Sequence, residues 1–138
     1  MRPALTATLH TGFDEAVTRT RDALAQQGFG VLTEIDMRAT LKDKLGAEIE
    51  DYRILGACNP PLAHRAVTAD RRIGLLLPCN VVVRRDPGAD STVIVEAMDP
   101  DVMVQVTDNP AALRPIAASA EAKLRAALDS LDEGAASG

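Results

Sequence analysis

Aromatic residues are almost missing from this chain, with two Phe, one Tyr and no Trp among 138 residues. A single-strand nucleic-acid groove built on stacked rings is therefore excluded. The core has to be filled by Val, Leu, Ile and Ala. An excess of positive charge is missing too: 15 Lys and Arg face 20 Asp and Glu, for a net charge of −5. That is the wrong sign for a partner recognised through its phosphate backbone. No run of about 18 apolar residues occurs, so no membrane partner is expected. The opening Met1-Arg2-Pro3 has no signal-peptide character. These absences imply a cytoplasmic protein. Cysteine is scarce as well, and in that compartment Cys58 and Cys79 are expected as reduced thiols, not as a structural disulfide.

Apolar residues make up 46% of the chain, enough for one real core. The length suits one domain, expected over 1–132, with a small polar C-terminal tail over 133–138. Residues 4–10 alternate loosely and read as a first strand, with His10 exposed at its end. Thr11-Gly12-Phe13-Asp14 fits a capping box with Asp14 in place of Glu. Phe13, Ala16, Val17, Thr20 and Leu24 then follow helical spacing up to Gly28. Phe29, Val31, Thr33 and Ile35 alternate as a strand with one strongly apolar face. Asp36 caps a second helix, 37–45, with Met37, Leu41 and Leu45 in one row and Gly46 as terminator. Beyond residue 83, Asp86-Pro87-Gly88 marks a hairpin tip and 92–98 alternates as the returning strand. Asp99-Pro100-Asp101 opens a single turn with an apolar 102–106 behind it. Its acids read as a helix start, not as a calcium loop. Pro115 is expected to delay the last helix to about 113–131.

The stretch from Tyr52 to Val83 organises the rest. Tyr52, Ile54, Leu55 and Ala57 make a strand, in which Gly56 allows a bulge or a close backbone approach. Asn59 then precedes Pro60 and Pro61, the pattern of an N-cap followed by proline in the first helical turn, here over 60–69. Cys79 to Val83 is apolar on both faces and reads as a central strand. Cys58 closes one strand and Cys79 opens another, each followed by an asparagine. If these strands pair antiparallel, both Cys-Asn pairs share one rim of the sheet.

Cys58, Asn59, His64, Cys79 and Asn80 are thus the candidate ligand-binding residues, with Cys58, Cys79 and His64 as candidate metal ligands. The sulfurs are expected within about 4–8 Å of each other, a gap one metal ion can bridge. Each residue also has a plain structural reading. A free cysteine is among the most buried residue types. His64, turned about 100° from the residue that packs beneath the cap, suits a helix surface.

The segments Gly28–Asp36, Arg53–Pro60 with Ala63-His64-Arg65-Ala66, and Ile73–Val81 resemble a bacterial family, the domain of unknown function numbered 302. The match covers nearly the whole chain. The resemblance implies a small α+β domain, β-α-β rich and dimeric, and brings no catalytic residues with it. The expected fold is α+β, one compact domain with a mostly antiparallel sheet packed by an N-terminal and a C-terminal helix. Short helices lie between its strands.

Three functions stay open. The first is a non-enzymatic small-molecule or metal-ion binding module, whose thiols would suit Cu(I) or Zn. The second is a homodimeric structural or interaction protein with core cysteines. The third is a thiol enzyme using Cys58 at the helix N-terminus, His64 as base and Asn80 as orienting group. The residues favour the first.

Overall fold

The computed structural model describes residues 5–134. The chain runs β1 (Leu5–Leu9), α1 (Phe13–Gln26), β2 (Gly30–Asp36), α2 (Met37–Leu45), β3 (Tyr52–Cys58) and α3 (Pro60–Ala69). A 3-10 turn over Arg71–Leu76 leads to the hairpin β4 (Cys79–Asp86) and β5 (Ala89–Ala97), then α4 (Val102–Val106) and α5 (Pro110–Leu131). One sheet in the order β1-β5-β4-β3-β2 is antiparallel throughout. The fold is the expected α+β architecture, and β4, apolar in sequence, is its central strand.

Alternation gives the sheet two unlike faces. Leu5, Ala7, Leu9, Val93, Val95, Val81, Val83, Leu55 and Ala57 are buried. They pack with Phe13, Val17 and Leu24 of α1 and Leu124, Leu128 and Leu131 of α5 in one cluster. The opposite face carries the row Thr6, Glu96, Val82, Ile54 and Ile35, paired strand to strand, and none of these is buried. A second cluster joins Leu62 and Ala66 of α3, Ile73, Met103 of α4 and Leu113, Ile116, Ala117 and Ala120 of α5.

Several local expectations change. The capping box at α1 does not form: the N-cap is Gly12, with no side-chain cap, and the Thr11 hydroxyl donates to the Glu15 carboxylate instead. The apolar face of β2 is split by a register shift between Val31 and Thr33. Val31 pairs with Ala57 on the helix side, while Thr33 and Ile35 pair with Gly56 and Ile54 on the open side. One extra residue in a strand reverses the face of all that follows. Helix α5 starts at Pro110 and runs through Pro115. Buried Leu113 and Ile116 on either side of that proline hold it by packing. Glu133, expected in the tail, is tied down: its N–H donates to the Thr8 carbonyl at 2.8 Å and its carboxylate pairs with Arg19 at 3.0 Å. The rest of the expected tail, 135–138, lies outside the described residues.

Helix α2 matches its expected bounds. Asp36 Oδ1 accepts from Ala39 N at 2.9 Å, and Gly46 takes the left-handed conformation at φ 68°. Yet none of its residues is buried. It is fastened by charge: Arg38 Nη1 donates to Asp51 at 2.8 Å, and Arg85 Nε reaches the same carboxylate at 3.3 Å. Burial pushes the Asp51 carboxyl up, but the two guanidiniums outweigh it and hold it below the ordinary carboxylate range.

Candidate functional site

Strands β3 and β4 pair with Ala57 opposite Cys79 and Gly56 opposite Asn80. The end of β3 and the start of β4 therefore meet at one rim of the sheet. Asn59 turns the chain there. Its Oδ1 accepts from Leu62 N at 3.3 Å, which caps α3, and its Nδ2 donates to the Gln27 carbonyl at 3.4 Å. The amide thus joins the first turn of α3 to the end of α1. Gly28, at φ 84°, leaves room for it: a Cβ there would stand 3.1 Å from Asn59 Nδ2. Gly56 answers a second close approach, since a Cβ at that position would lie 2.8 Å from Pro78 Cγ. The strand therefore lets the 77–79 segment, which includes the cis Leu77-Pro78 peptide, lie directly against it.

Behind this rim lies a cavity of about 20 Å³, where the two apolar clusters meet. Phe29 and Ala57 close it from the sheet side, and Leu62, Ala66, Met103, Ile116 and Ala120 from the helices. Cys58 and Cys79 both line it, and Asn59 is the one polar amide on its wall. Both cysteines are free thiols and half-buried. The Cys79 thiol is pushed up from its ordinary value, first by burial and then by the neighbouring Cys58. A water needs roughly 10–15 Å³ of such space, so the cavity is of single-ion size and far below the several hundred Å³ of an organic ligand site.

The other candidates fall elsewhere. His64 is exposed on α3 and does not line the cavity. Asn80 is exposed on the open face and borders a second small cavity, with Cys79, Met98, Asp99 and Met103 on its wall. Among the described residues, no three His, Cys, Asp or Glu side chains are grouped to hold a metal ion. The expected three-ligand set of Cys58, Cys79 and His64 is therefore not brought together. Met103, which lines both cavities, was hidden in sequence because Val102–Val106 reads only as an apolar turn. Among the described residues, no helix is long and apolar enough to cross a membrane.

The family model for the domain of unknown function DUF302 matches residues 5–131. The crystal structure of the uncharacterized conserved protein DUF302 from Bacillus stearothermophilus is similar, with 32% sequence identity and a TM-score of 0.84. That alignment covers 95% of this chain and 99% of the other. No curated protein matches the chain. Matched from its first strand to the end of its last helix, and sharing both sequence and fold with a solved member, this chain belongs to the DUF302 family.

Proposed function

We propose that the chain is a non-enzymatic binding module whose Cys58–Cys79 pair takes a single soft metal ion. The observation that carries this reading is that both thiols line one small apolar cavity of about 20 Å³. Soft thiolate ligands in an apolar shell select Cu(I) or Zn from the common ions. Zinc in structural sites takes four nitrogen or sulfur ligands, and this site offers two cysteines with no histidine or acid on the wall. Cu(I) is satisfied by two or three sulfurs, so it fits this donor set better. Binding replaces the thiol protons, two per ion when both thiols start protonated, so affinity rises with pH. The thiol-enzyme reading gains nothing from the geometry, because neither a base nor an acid lines the cavity. An anaerobic competition titration against a chromophoric Cu(I) chelator tests the proposal. One ion per chain is expected, with none held by Cys58→Ser or Cys79→Ser. A wild-type protein that leaves all the copper with the chelator would overturn it.

A second reading, homodimer formation, rests on a separate observation. Leu32, Ile35 and Leu45, on the consecutive elements β2 and α2, are 68%, 44% and 75% exposed. Several nearby charges are paired within the chain: Arg38 with Asp51, Arg53 with Glu34 and Asp36, and Lys42 with Glu48. What remains outward is a group of large apolar side chains beside charges that are largely paired. Such a patch suits a second copy of itself across a two-fold axis better than a charged partner.

A further inference from the structure

We infer that Met103 supplies a third sulfur to the soft-metal site, making it a Cys2Met centre for Cu(I). This rests on the two-thiol reading above and gives it a ligand number and a metal. Met103 lies on α4, an element far from Cys58 and Cys79 in sequence, yet it lines the same cavity as both. It also shares the wall of the second small cavity with Cys79. Cys79 and Met103 are thus the pair of sulfur residues that both cavities share. Met103 is 6% exposed, so its thioether is held in the packed interior, away from water.

The chemistry separates metals. A thioether is a neutral soft donor that binds Cu(I) and has little attraction for zinc. It adds no charge to a site where two thiolates and one Cu(I) already leave a net charge of −1. It needs no deprotonation, so it adds a bond without a further proton released. Met103 shares a buried cluster with Leu62, Ala66 and Ile116, which line the same cavity, and an apolar shell of this kind disfavours water as a competing ligand.

The test uses selenomethionine-labelled protein loaded with one equivalent of Cu(I) under anaerobic conditions. X-ray absorption at the selenium edge is expected to show a selenium–copper distance in the wild type. It should be lost in Met103→Leu, a volume-conserving change that keeps the fold. In chelator competition, Met103→Leu should hold Cu(I) at least about tenfold more weakly, the effect of losing roughly 1.4 kcal/mol. Its retention of Hg(II), which is content with two thiolates in line, should be unchanged. Copper bound by the wild type without a selenium neighbour, and with the same affinity in Met103→Leu, would overturn the third ligand while leaving the thiol pair standing. A wild type that holds no copper would overturn both.

Discussion

Asn59 uses both ends of one amide, Oδ1 on Leu62 N and Nδ2 on the Gln27 carbonyl. Replacing it by alanine is expected to cost about 1 kcal/mol through the lost cap. For a domain of this size, that is a fall of roughly 4 °C in midpoint temperature. Asn59→Asp, which keeps the cap acceptor but loses the donor to the Gln27 carbonyl, should recover only part of it. Calorimetry of the two variants checks this, and equal midpoints for wild type and Asn59→Ala would remove the cap from the account. At Gly56 the limit is space. A methyl group there meets Pro78 Cγ at 2.8 Å, so Gly56→Ala is expected to destabilise by about 2 kcal/mol, read from a urea midpoint. Cys79 carries a pH signature. Burial, and then the neighbouring Cys58, push its thiol up, so it ionises at higher pH than an ordinary cysteine. Stability is therefore full below the ordinary thiol pKa and declines as pH rises through the folded value. Iodoacetamide at pH 8 should accordingly modify Cys79 in the folded protein more slowly than in the urea-unfolded chain.

At the scale of elements, α2 is a helix made by its ends and not by its burial. Asp36 caps it and Gly46 stops it, and both signals were plain in the sequence. A nine-residue helix with no buried side chain gains little from its own hydrogen bonds. Leu45, 75% exposed at its end, is the residue of this helix that the proposed dimer contact would cover. Leu45→Glu should convert a dimer to a monomer in light scattering at micromolar concentration, with little change in the far-ultraviolet circular dichroism. A wild type that is already monomeric would end that reading. The strand β2 shows where pattern reading stops. Phe29, Val31, Thr33 and Ile35 alternate in sequence, but the bulge between Val31 and Thr33 sends Ile35 to the open face. Nothing in the local residues marks such a shift, because pairing with β3 decides it. Pro115 misled for a similar reason: a proline signals a break, while the tertiary contacts of Leu113 and Ile116 keep the helix continuous.

Across the whole molecule, the central place of β4 follows from its apolar run, while the full order does not follow from sequence, because β1 crosses the sheet to pair with β5. The meeting of Cys58 and Cys79 at one rim was legible because each cysteine marks a strand end. The surface position of His64 was legible too, from its turn of about 100° away from the capped face, and the inward packing of Leu62 and Ala66 is what turns it to solvent. Met103 was out of reach altogether, since α4 is placed against α5 by tertiary contacts. The central claim is that the two thiols act as one site. Mass spectrometry of iodoacetamide-treated folded protein, with and without one equivalent of Cu(I) under anaerobic conditions, tests it most directly. Copper should slow modification of Cys58 and Cys79 together, and should leave the remaining thiol unprotected in a Cys58→Ser or Cys79→Ser variant. Independent modification of the two thiols, unchanged by copper, would contradict it.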